Sequence, residues 1–427
     1  MSMNDIPALI LAGGASRELP VLTAYRSKAA LPYAGRFRII DFCLSNCANS
    51  DIHNVGILAQ YNPASLIAHV GNGKPWDLNR RKGGLMILQP YVGRIESNWF
   101  RGTADAVWQH QQVLKTTTAE DVLILSGDQV YMMDYREMVR AHHYSGAWVT
   151  VAAKRASTGV PERYGALDID RDGLVVRFIE KPEKKVMDAF SLGIYVFKKR
   201  VLEERLAVVG EGKYDLVFDV LMPLVEEHRV RAHIHEGYWA DIGWMQQYYD
   251  STMALLAEPP SMDLGDPDWR VFTKTEVRCP SRVGRNAEVV KAFVANQCRI
   301  DGDVRQSILF PGVRVEAGAR VEDSIVFADA VIEAGATVSR SILDKNVRIG
   351  RKSVVGFGTA STPNSRFPDV LASGTSVIGK GTRIPEGLRI GRNCLIDADL
   401  PVDSIPRRDI VCGETITKEG AWQKISS

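Results

Sequence analysis

SILFPGVRVEAGARVED (307–323), SIVFADAVIEAGATVSR (324–340) and SILDKNVRIGRKSVVGF (341–357) are consecutive segments of seventeen residues, each opening on Ser-Ile. Within them apolar residues recur six apart, as Val315/Val321, Ile332/Val338 and Ile349/Val355. The same spacing returns in Ile378, Ile384, Ile390 and Ile396. One inward-pointing residue per face, with glycine near the corners, is what a parallel β-helix of three faces per coil demands. Over four such runs chance alternation is a poor competitor. Thr359–Gly374 carries no such repeat and reads as a loop.

Towards the N-terminus the repeat is preceded by GDPDWRVFTKTEV (265–277), which reads as part of a linker beginning near Glu258-Pro259-Pro260. Before that, from Ile6 to about Leu256, short β-rich runs alternate with helical stretches. The strands expected are Ala8–Leu11, Val55–Leu58, Val122–Leu125, Trp148–Ala152, Leu174–Ile179 and Gly193–Phe197. The helices are Ala64–His69, Ala104–Leu114, Tyr135–Tyr144 and Tyr214–Glu227. Strands interleaved with helices imply an α/β sheet covered on both faces. The division expected is residues 1–257, a linker 258–278, and the β-helix over 279–427, which suits a chain of 427 residues.

Composition narrows the function. Lys and Arg total 53 against 51 Asp and Glu, a net of +2 with no charged block, so neither a nucleic acid nor a membrane surface is an expected partner. No apolar run approaches the roughly 20 residues that span a bilayer. The first residues carry Asp5 and lack a basic segment followed by an apolar core, so no signal peptide is expected. Six cysteines at 43, 47, 279, 298, 394 and 412 show no metal-ligand spacing and read as buried reduced thiols. A soluble cytoplasmic protein is the expectation.

The chemistry concentrates at strand ends. Pro7–Ala12 is an apolar run that breaks at Gly13-Gly14, and a glycine turn after a buried strand can bring bare backbone N–H groups to phosphate oxygens. Arg17, Arg26 and Lys28 follow closely enough to converge on the same place. The pair alone is equally the mark of a tight turn with solvated charges. VLILSGD (122–128) is a second apolar strand, ending in Asp128. Such a residue is often only a turn aspartate. Ligands of α/β sheets sit at the carboxyl ends of strands, which puts Gly13-Gly14 and Gly127-Asp128 on one rim.

LAGG (11–14), the Leu22-Thr23 pair, Lys28, Pro32 and RIIDFCLSNC (38–47) together resemble the start of the sugar-1-phosphate nucleotidylyltransferases. Within that family the bacterial glucose-1-phosphate adenylyltransferases are the most similar. WFRGTADA (99–106), Tyr164-Gly165, FIEKP (178–182), Ser191 in SLGIYVF, and Asp241 in GYWADIG extend the resemblance over nearly all of the chain. It implies a Rossmann-like mixed-sheet domain followed by a left-handed parallel β-helix. It further implies that ATP is held by Leu11, Ala12, Gly13 and Gly14, with Gly102, Thr103 and Ala104 at the base. Glucose 1-phosphate falls to Tyr164, Gly165, Glu180, Lys181 and Ser191. Arg17, Lys28 and Asp128 carry the catalytic roles, and Asp128 with Asp241 holds Mg²⁺. Arg36 and Arg38 take the place of cationic contacts to an anionic metabolite effector, in a homotetramer or a hetero-oligomer with a related subunit.

Read on the residues alone, Thr103 is an N-cap for a helix from Ala104, and Glu180-Lys181 is an exposed ion pair. Asp105, Asp219, His142 and His143 suit helix-surface or packing roles. No histidine follows His235, which excludes a histidine-based acyl-transfer site in the β-helix.

Three positions depart from the family pattern. Aligned without gaps, the loop's third glycine is Ser16 and its arginine is Glu18; a one-residue slip makes Arg17 that arginine. The residue before Asp241 is Ala240 in place of arginine. Two readings therefore stand: an active adenylyltransferase using Arg17, or a catalytically weak regulatory subunit. A nucleotidylyltransferase for another nucleotide or sugar is the third.

Overall fold

The computed structural model describes residues 3–14, 16–90, 99–156, 160, 162–183, 187, 189–207 and 212–418. The chain forms two compact units, neither continuous in sequence. The first gathers Met1–Gly14, Ile39–Trp239 and Leu264–Lys274; the second gathers Ala15–Arg38, Ala240–Asp263 and Thr275–Ser427.

The first unit is built on a mixed sheet of nine strands among the described residues. These are β1 (Pro7–Leu11), β2 (Asn54–Leu58), β3 (Gly84–Leu88), β4 (Asp121–Ser126), β5 (Val149–Arg155), β6 (Ala166–Ile169), β7 (Val175–Ile179), β8 (Ala189–Lys198) and β9 (Val230–Ile234). Their order is β7-β6-β8-β4-β1-β2-β3, with β5 between β8 and β9. The run β4-β1-β2-β3 is parallel, whereas β8 is antiparallel to β4, β5 and β6. Every strand expected from the sequence is present. Ala8, Leu9, Ile10 and Val122 to Leu125 are fully buried, as continuous apolar runs in a parallel sheet should be. β3, β6 and β9 escaped the sequence reading; Asp168 interrupts the apolar run of β6, and Arg231 and His233 that of β9, whereas β3 escaped despite its run LMIL (85–88).

Helix α1 (Ile39–Asn49) follows β1, α2 (Thr103–Gln109) precedes β4, and α3 (Tyr135–Ser145) precedes β5. Asp134 caps α3 by accepting from Arg136 N at 2.9 Å, and Gly146 closes it in the left-handed region. The helix expected over 104–114 breaks instead. α2 ends at Gln109 and a separate turn covers Gln112–Lys115, with His110 buried at the joint. The stretch expected as helix over 214–227 starts with a π-turn, Val217–Leu221, before the short helix Met222–Glu226.

In the second unit the seventeen-residue period is a hydrogen-bonding register. Ile308 pairs with Ile325 and Ile325 with Ile342; Val315 pairs with Ile332 and Ile332 with Ile349; Val321 pairs with Val338 and Val338 with Val355. One coil later the partners are Val377, Ile384 and Ile390, because the loop over 359–374 is inserted there without a strand. Each coil thus stacks its apolar residues on their own copies, and Ile332, Ile349, Val338 and Val355 are wholly buried. The serines that open the segments form a second ladder. Ser307 and Ser324 donate to the carbonyls of Arg305 and Glu322 at 2.7 and 2.6 Å. They accept from the N–H of Ser324 and Ser341 at 3.1 and 3.2 Å. A buried hydroxyl is tolerable only when so satisfied.

Corners fall on left-handed residues at the same period: Gly318, Gly335 and Lys352 at one, Gly312, Asp329 and Asn346 at another. Glycine is therefore not obligatory at the corners, as Asn and Asp tolerate this region and even a lysine is held there.

Segments 16–38 and 240–263 pack on the coils within this unit. Arg26 is buried and ion-paired to Asp344 at 2.8 Å, Tyr248 Oη donates to Pro32 O at 2.7 Å, and Tyr249 Oη to Asp323 O at 2.5 Å. Arg26, which the sequence offers to the glycine loop, is thus paired with a carboxylate of the coils. All six cysteines are free; Cys279 is exposed and Cys412 half-buried, so the expectation of six buried thiols holds for four. Among the described residues no helix is long and apolar enough to cross a membrane.

Candidate active site

β1 lies between β2 and β4, so its carboxyl end opens beside two other parallel strand ends. Ala12 N donates to Leu58 O and Gly127 N to Leu11 O, both at 2.9 Å, and Tyr61 N donates to Gly13 O at 3.2 Å. Leu11 and Ala12 thus lie against Gly127, which precedes Asp128, while Gly13 turns to Leu58, Gln60 and Tyr61 at the end of β2. A Cβ on Gly127 would stand 3.1 Å from Leu11 O and 3.2 Å from Ala12 Cβ, so glycine permits the approach. Asp128 follows, half-buried, its Oδ1 accepting from Ser126 Oγ at 2.7 Å. Neither Gly13 nor Gly14 uses the left-handed region, and a Cβ at Gly14 would meet nothing within 4 Å. Their contribution is bare, approachable backbone rather than the sharpness of the turn. Ala15, the next residue of the loop, lies outside the described residues.

Gly102 is fixed by space. Its φ is extended, but a Cβ there would stand 2.3 Å from Tyr214 O. That carbonyl accepts from Ala104 N at 2.8 Å and Asp105 N at 3.3 Å. Thr103 is the first helical residue rather than the cap, and no side chain caps α2. Its Oγ1 instead accepts from Leu216 N at 2.8 Å and donates to Asp215 at 3.4 Å. The segment Gly102–Ala104 is thus clasped by Tyr214–Leu216. Arg101 tightens the clasp, stacked 4.0 Å over the Tyr214 ring and bonded to Tyr214 Oη at 2.9 Å and to Asp105 at 3.0 Å. Asp105 is completely buried by this, which makes it a packing residue and not a surface one. Gln60 bonds the Phe100 backbone and adjoins Gly13, which carries the clasped segment to the glycine loop. Sequence reading missed Arg101, Tyr214 and Asp215, since their partners stand more than a hundred residues away or in an irregular segment.

The third group meets around Gly165. A Cβ there would lie 2.5 Å from the Phe178 ring and 2.8 Å from Glu180 Oε2. Gly165 O accepts from Ser191 N at 2.8 Å, and the Tyr164 ring stacks on Phe190 at 5.1 Å. Trp239 completes an aromatic trio with Tyr164 and Phe190 at 5.4 and 5.6 Å, its Nε1 donating to Gln129 Oε1 at 3.2 Å. Tyr164, Gly165, Glu180 and Ser191 are therefore brought together. Burial lifts the Glu180 carboxyl above the ordinary glutamate range; Lys181 beside it pulls the other way, and the charge of Asp215 adds to the rise. Glu180 is thus not an exposed ion-pair member, although Lys181 itself is exposed. Lys181 sits in the left-handed region at φ 49, before Pro182, a conformation a lysine adopts only at some strain.

Arg17, Lys28, Arg36, Arg38 and Asp241 belong to the second unit. Arg17 and Glu18 are exposed, and Glu18 accepts from Ser16 Oγ at 3.3 Å. Arg36 is exposed and Arg38 half-buried. Burial, reinforced by the charges of Arg38 and Arg26, pushes the Lys345 ammonium down to about 8. Asp241 ends the strand Trp239–Asp241. Asp128 and Asp241 offer carboxylate oxygens, the donors a hard divalent cation takes. Among the described residues no cluster of three or more metal-ligating side chains forms. A single carboxylate suits a cation whose remaining ligands are phosphate oxygens and water, not a closed protein cage.

Comparison with known proteins now bears on this arrangement. The family profile described as Nucleotidyl transferase matches residues 7–258. A protein of Thermomicrobium roseum named glucose-1-phosphate adenylyltransferase is 42% identical, over 97% of this chain and 98% of its own. The chain belongs to the glucose-1-phosphate adenylyltransferase family. Members from Acetivibrio thermocellus and Thermotoga maritima are 38% and 39% identical, over 98% and 97% of this chain and 99% of theirs. A second profile, GlmU-like, C-terminal hexapeptide, matches residues 278–378, and the coils it covers are a left-handed β-helix. Nucleotidyltransferases of this kind generally use a divalent cation.

Proposed function

We propose that this protein transfers the adenylyl group of ATP to glucose 1-phosphate, giving ADP-glucose and pyrophosphate for α-glucan synthesis. The observation that carries the reading is the meeting of the Gly13 loop, the clasped Gly102–Ala104 segment and Asp128 on one rim. A phosphate oxygen of glucose 1-phosphate attacks the α-phosphorus of ATP and pyrophosphate leaves. A phosphate dianion attacks without a protein nucleophile, so catalysis is positioning and neutralisation of charge. The backbone of Leu11 to Gly14 takes the triphosphate, and Gly102, Thr103 and Ala104 take the base. Glu180 and Ser191 bond sugar hydroxyls beside Tyr164 and Gly165, and Lys181 holds the sugar phosphate. Lys28 and Arg17 supply positive charge to the phosphates. Asp128 and Asp241 would hold Mg²⁺, which would supply Lewis-acid neutralisation of charge at the phosphates.

Arg36 and Arg38 take the contacts to an anionic metabolite effector, with Lys345 beside Arg38, its ammonium lowered first by burial and further by the charges of Arg38 and Arg26. A cytoplasmic homotetramer, or a hetero-oligomer with a related subunit, completes the reading.

The test is pyrophosphate release from purified protein with Mg²⁺, glucose 1-phosphate and each nucleoside triphosphate in turn. Turnover with ATP well above that of Asp128→Ala is the expected result. Turnover no faster than that control, from protein that still binds ATP, would overturn it and favour the regulatory-subunit reading that Ser16, Glu18 and Ala240 suggest.

A further inference from the structure

Helix α1 buries nine of its eleven residues, yet its buried face is laced with polar side chains. Cys43, Asn46, Cys47 and, just past the helix, Ser50 follow one another at three- and four-residue steps and so share a stripe. The stripe holds the stretch that leaves Asp128. Ser50 Oγ accepts from Tyr135 N at 2.9 Å, Asn46 Nδ2 donates to Tyr131 O at 3.2 Å, and Asn46 Oδ1 accepts from Met133 N at 3.2 Å. The phenols of Tyr131 and Tyr135 bond each other at 2.6 Å, with Cys43 Sγ 4.0 Å from both.

A second pair on the same helix, Ser45 and Asn49, faces the strap Leu264–Lys274. Ser45 Oγ accepts from Phe272 N at 2.8 Å and Asn49 Nδ2 donates to Arg270 O at 3.0 Å. Trp76 Nε1 and Lys274 Nζ add bonds to Phe272 O and Ala68 O at 3.2 and 2.7 Å. Asn46 belongs to both sets, because its Oδ1 also accepts from Trp269 Nε1 at 3.0 Å.

We infer that Asn46 is a positioning residue for Asp128, tying the strap to the strand Gln129–Tyr131 that follows the carboxylate. The inference rests on the reading of Asp128 as a cation ligand. The chemistry demands this side chain: one carbonyl oxygen serves two N–H donors while the amide N–H₂ serves a carbonyl. Aspartate would set a carboxylate against Tyr131 O, and alanine would leave two N–H groups and a carbonyl buried without partners. Asn46 is 1% exposed, so water does not replace it. Gln129, Val130 and Tyr131 are all buried, so a shift at Tyr131 has three packed residues through which to reach Asp128. The stretch that follows Asp128 and the strap thus share one side-chain amide.

The experiment compares full-length wild type with Asn46→Ala, Asn46→Asp, Trp269→Phe and Asp128→Asn. It reads the Mg²⁺ requirement and kinetic constants, Mn²⁺ binding in the presence of ATP by electron paramagnetic resonance, and hydrogen exchange over residues 129–133. Asn46→Ala and Asn46→Asp are expected to weaken Mn²⁺ binding and raise the Mg²⁺ requirement about tenfold, the usual effect of removing a group that orients a metal ligand. The KM for glucose 1-phosphate should stay within about twofold, and exchange at 129–133 should quicken. Trp269→Phe, which loses only the N–H, should shift the same quantities by about two- to threefold. Wild-type Mn²⁺ affinity in a folded Asn46→Ala would overturn the inference, as would all constants falling together with the melting temperature. If Asn46→Ala does not fold, an unchanged Mg²⁺ requirement in Trp269→Phe overturns it instead. Wild-type Mn²⁺ affinity in Asp128→Asn would sink the reading of Asp128 itself, a result distinct from either.

Discussion

The β-helix coils and the corner around Gly165 solve packing in opposite ways. In the coils before the inserted loop the paired strand residues meet their counterparts seventeen positions on, so Ile332 lies between Val315 and Ile349 and the contact has equivalents in the neighbouring coils. Around Gly165 a glycine, a phenylalanine ring, a carboxylate and a serine N–H meet once, with no copy elsewhere. Stability is spread along the first region; function is concentrated in a few atoms of the second. Substitutions in the coils should therefore move stability and spare catalysis, and substitutions at the corner should do the reverse.

The largest effect should come from Ile332→Ala, a wholly buried position with apolar residues stacked on both sides. It should lower unfolding free energy by about 2–5 kcal/mol in urea titration with kinetic constants unchanged. Gly165→Ala probes the other side of the comparison. The added methyl must displace Phe178 or Glu180, and a misplacement of that size lowers kcat/KM for glucose 1-phosphate by about 10²-fold. A methyl accommodated without kinetic change would break the claim that this corner has no slack. Ser324→Val removes one rung of the hydroxyl ladder and strands Ser341 N, while Glu322 O keeps its bond from Arg340 N at 3.0 Å, with an expected loss of about 1–3 kcal/mol. Lys352→Gly puts glycine where Gly318 and Gly335 already stand in the same corner, relieving a left-handed lysine. A gain of about 0.5 kcal/mol is expected once the greater entropy of the unfolded glycine is subtracted.

The smallest effect is a pH dependence. Burial raises the Glu180 carboxyl in the folded protein, so the folded state binds its proton more tightly than the unfolded one. Its contribution is fully present below the ordinary glutamate range and is lost as pH rises through the raised value. Glu180→Gln should accordingly match wild type in acid and gain on it toward neutral pH in urea titrations, while using glucose 1-phosphate poorly. Wild type gaining on the variant with rising pH would contradict the burial of this charge.

The sequence made the coils legible because their contacts repeat at a fixed spacing, and a period survives in one dimension. It also exposed β1, β2 and β4, whose burial on both faces leaves unbroken apolar runs. The strands β6 and β9 offered no such run, being interrupted by Asp168 and by Arg231 and His233; β3 offered one, LMIL (85–88), that went unread. The clasp of Tyr214–Leu216 on Gly102–Ala104 was hidden for a different reason: its key bonds are made by a backbone carbonyl and amide, which no residue type announces. Thr103 looked like a cap for the same reason, since its hydroxyl serves a backbone N–H over a hundred residues away.

What the sequence determined by itself is whatever depends on near neighbours: the coil period, the apolar strands of the parallel run, and the motif residues that mark the family. What only the tertiary structure decided is which distant side chains share a partner. Arg26 was paired with Asp344, residues 15–38 and 240–263 were gathered with the coils, and Asn46 was placed between Tyr131 and Trp269. Local propensity and periodicity act along the chain and leave a pattern in it. A hydrogen bond across 223 residues depends on how the whole chain packs, and nothing in the local sequence records it.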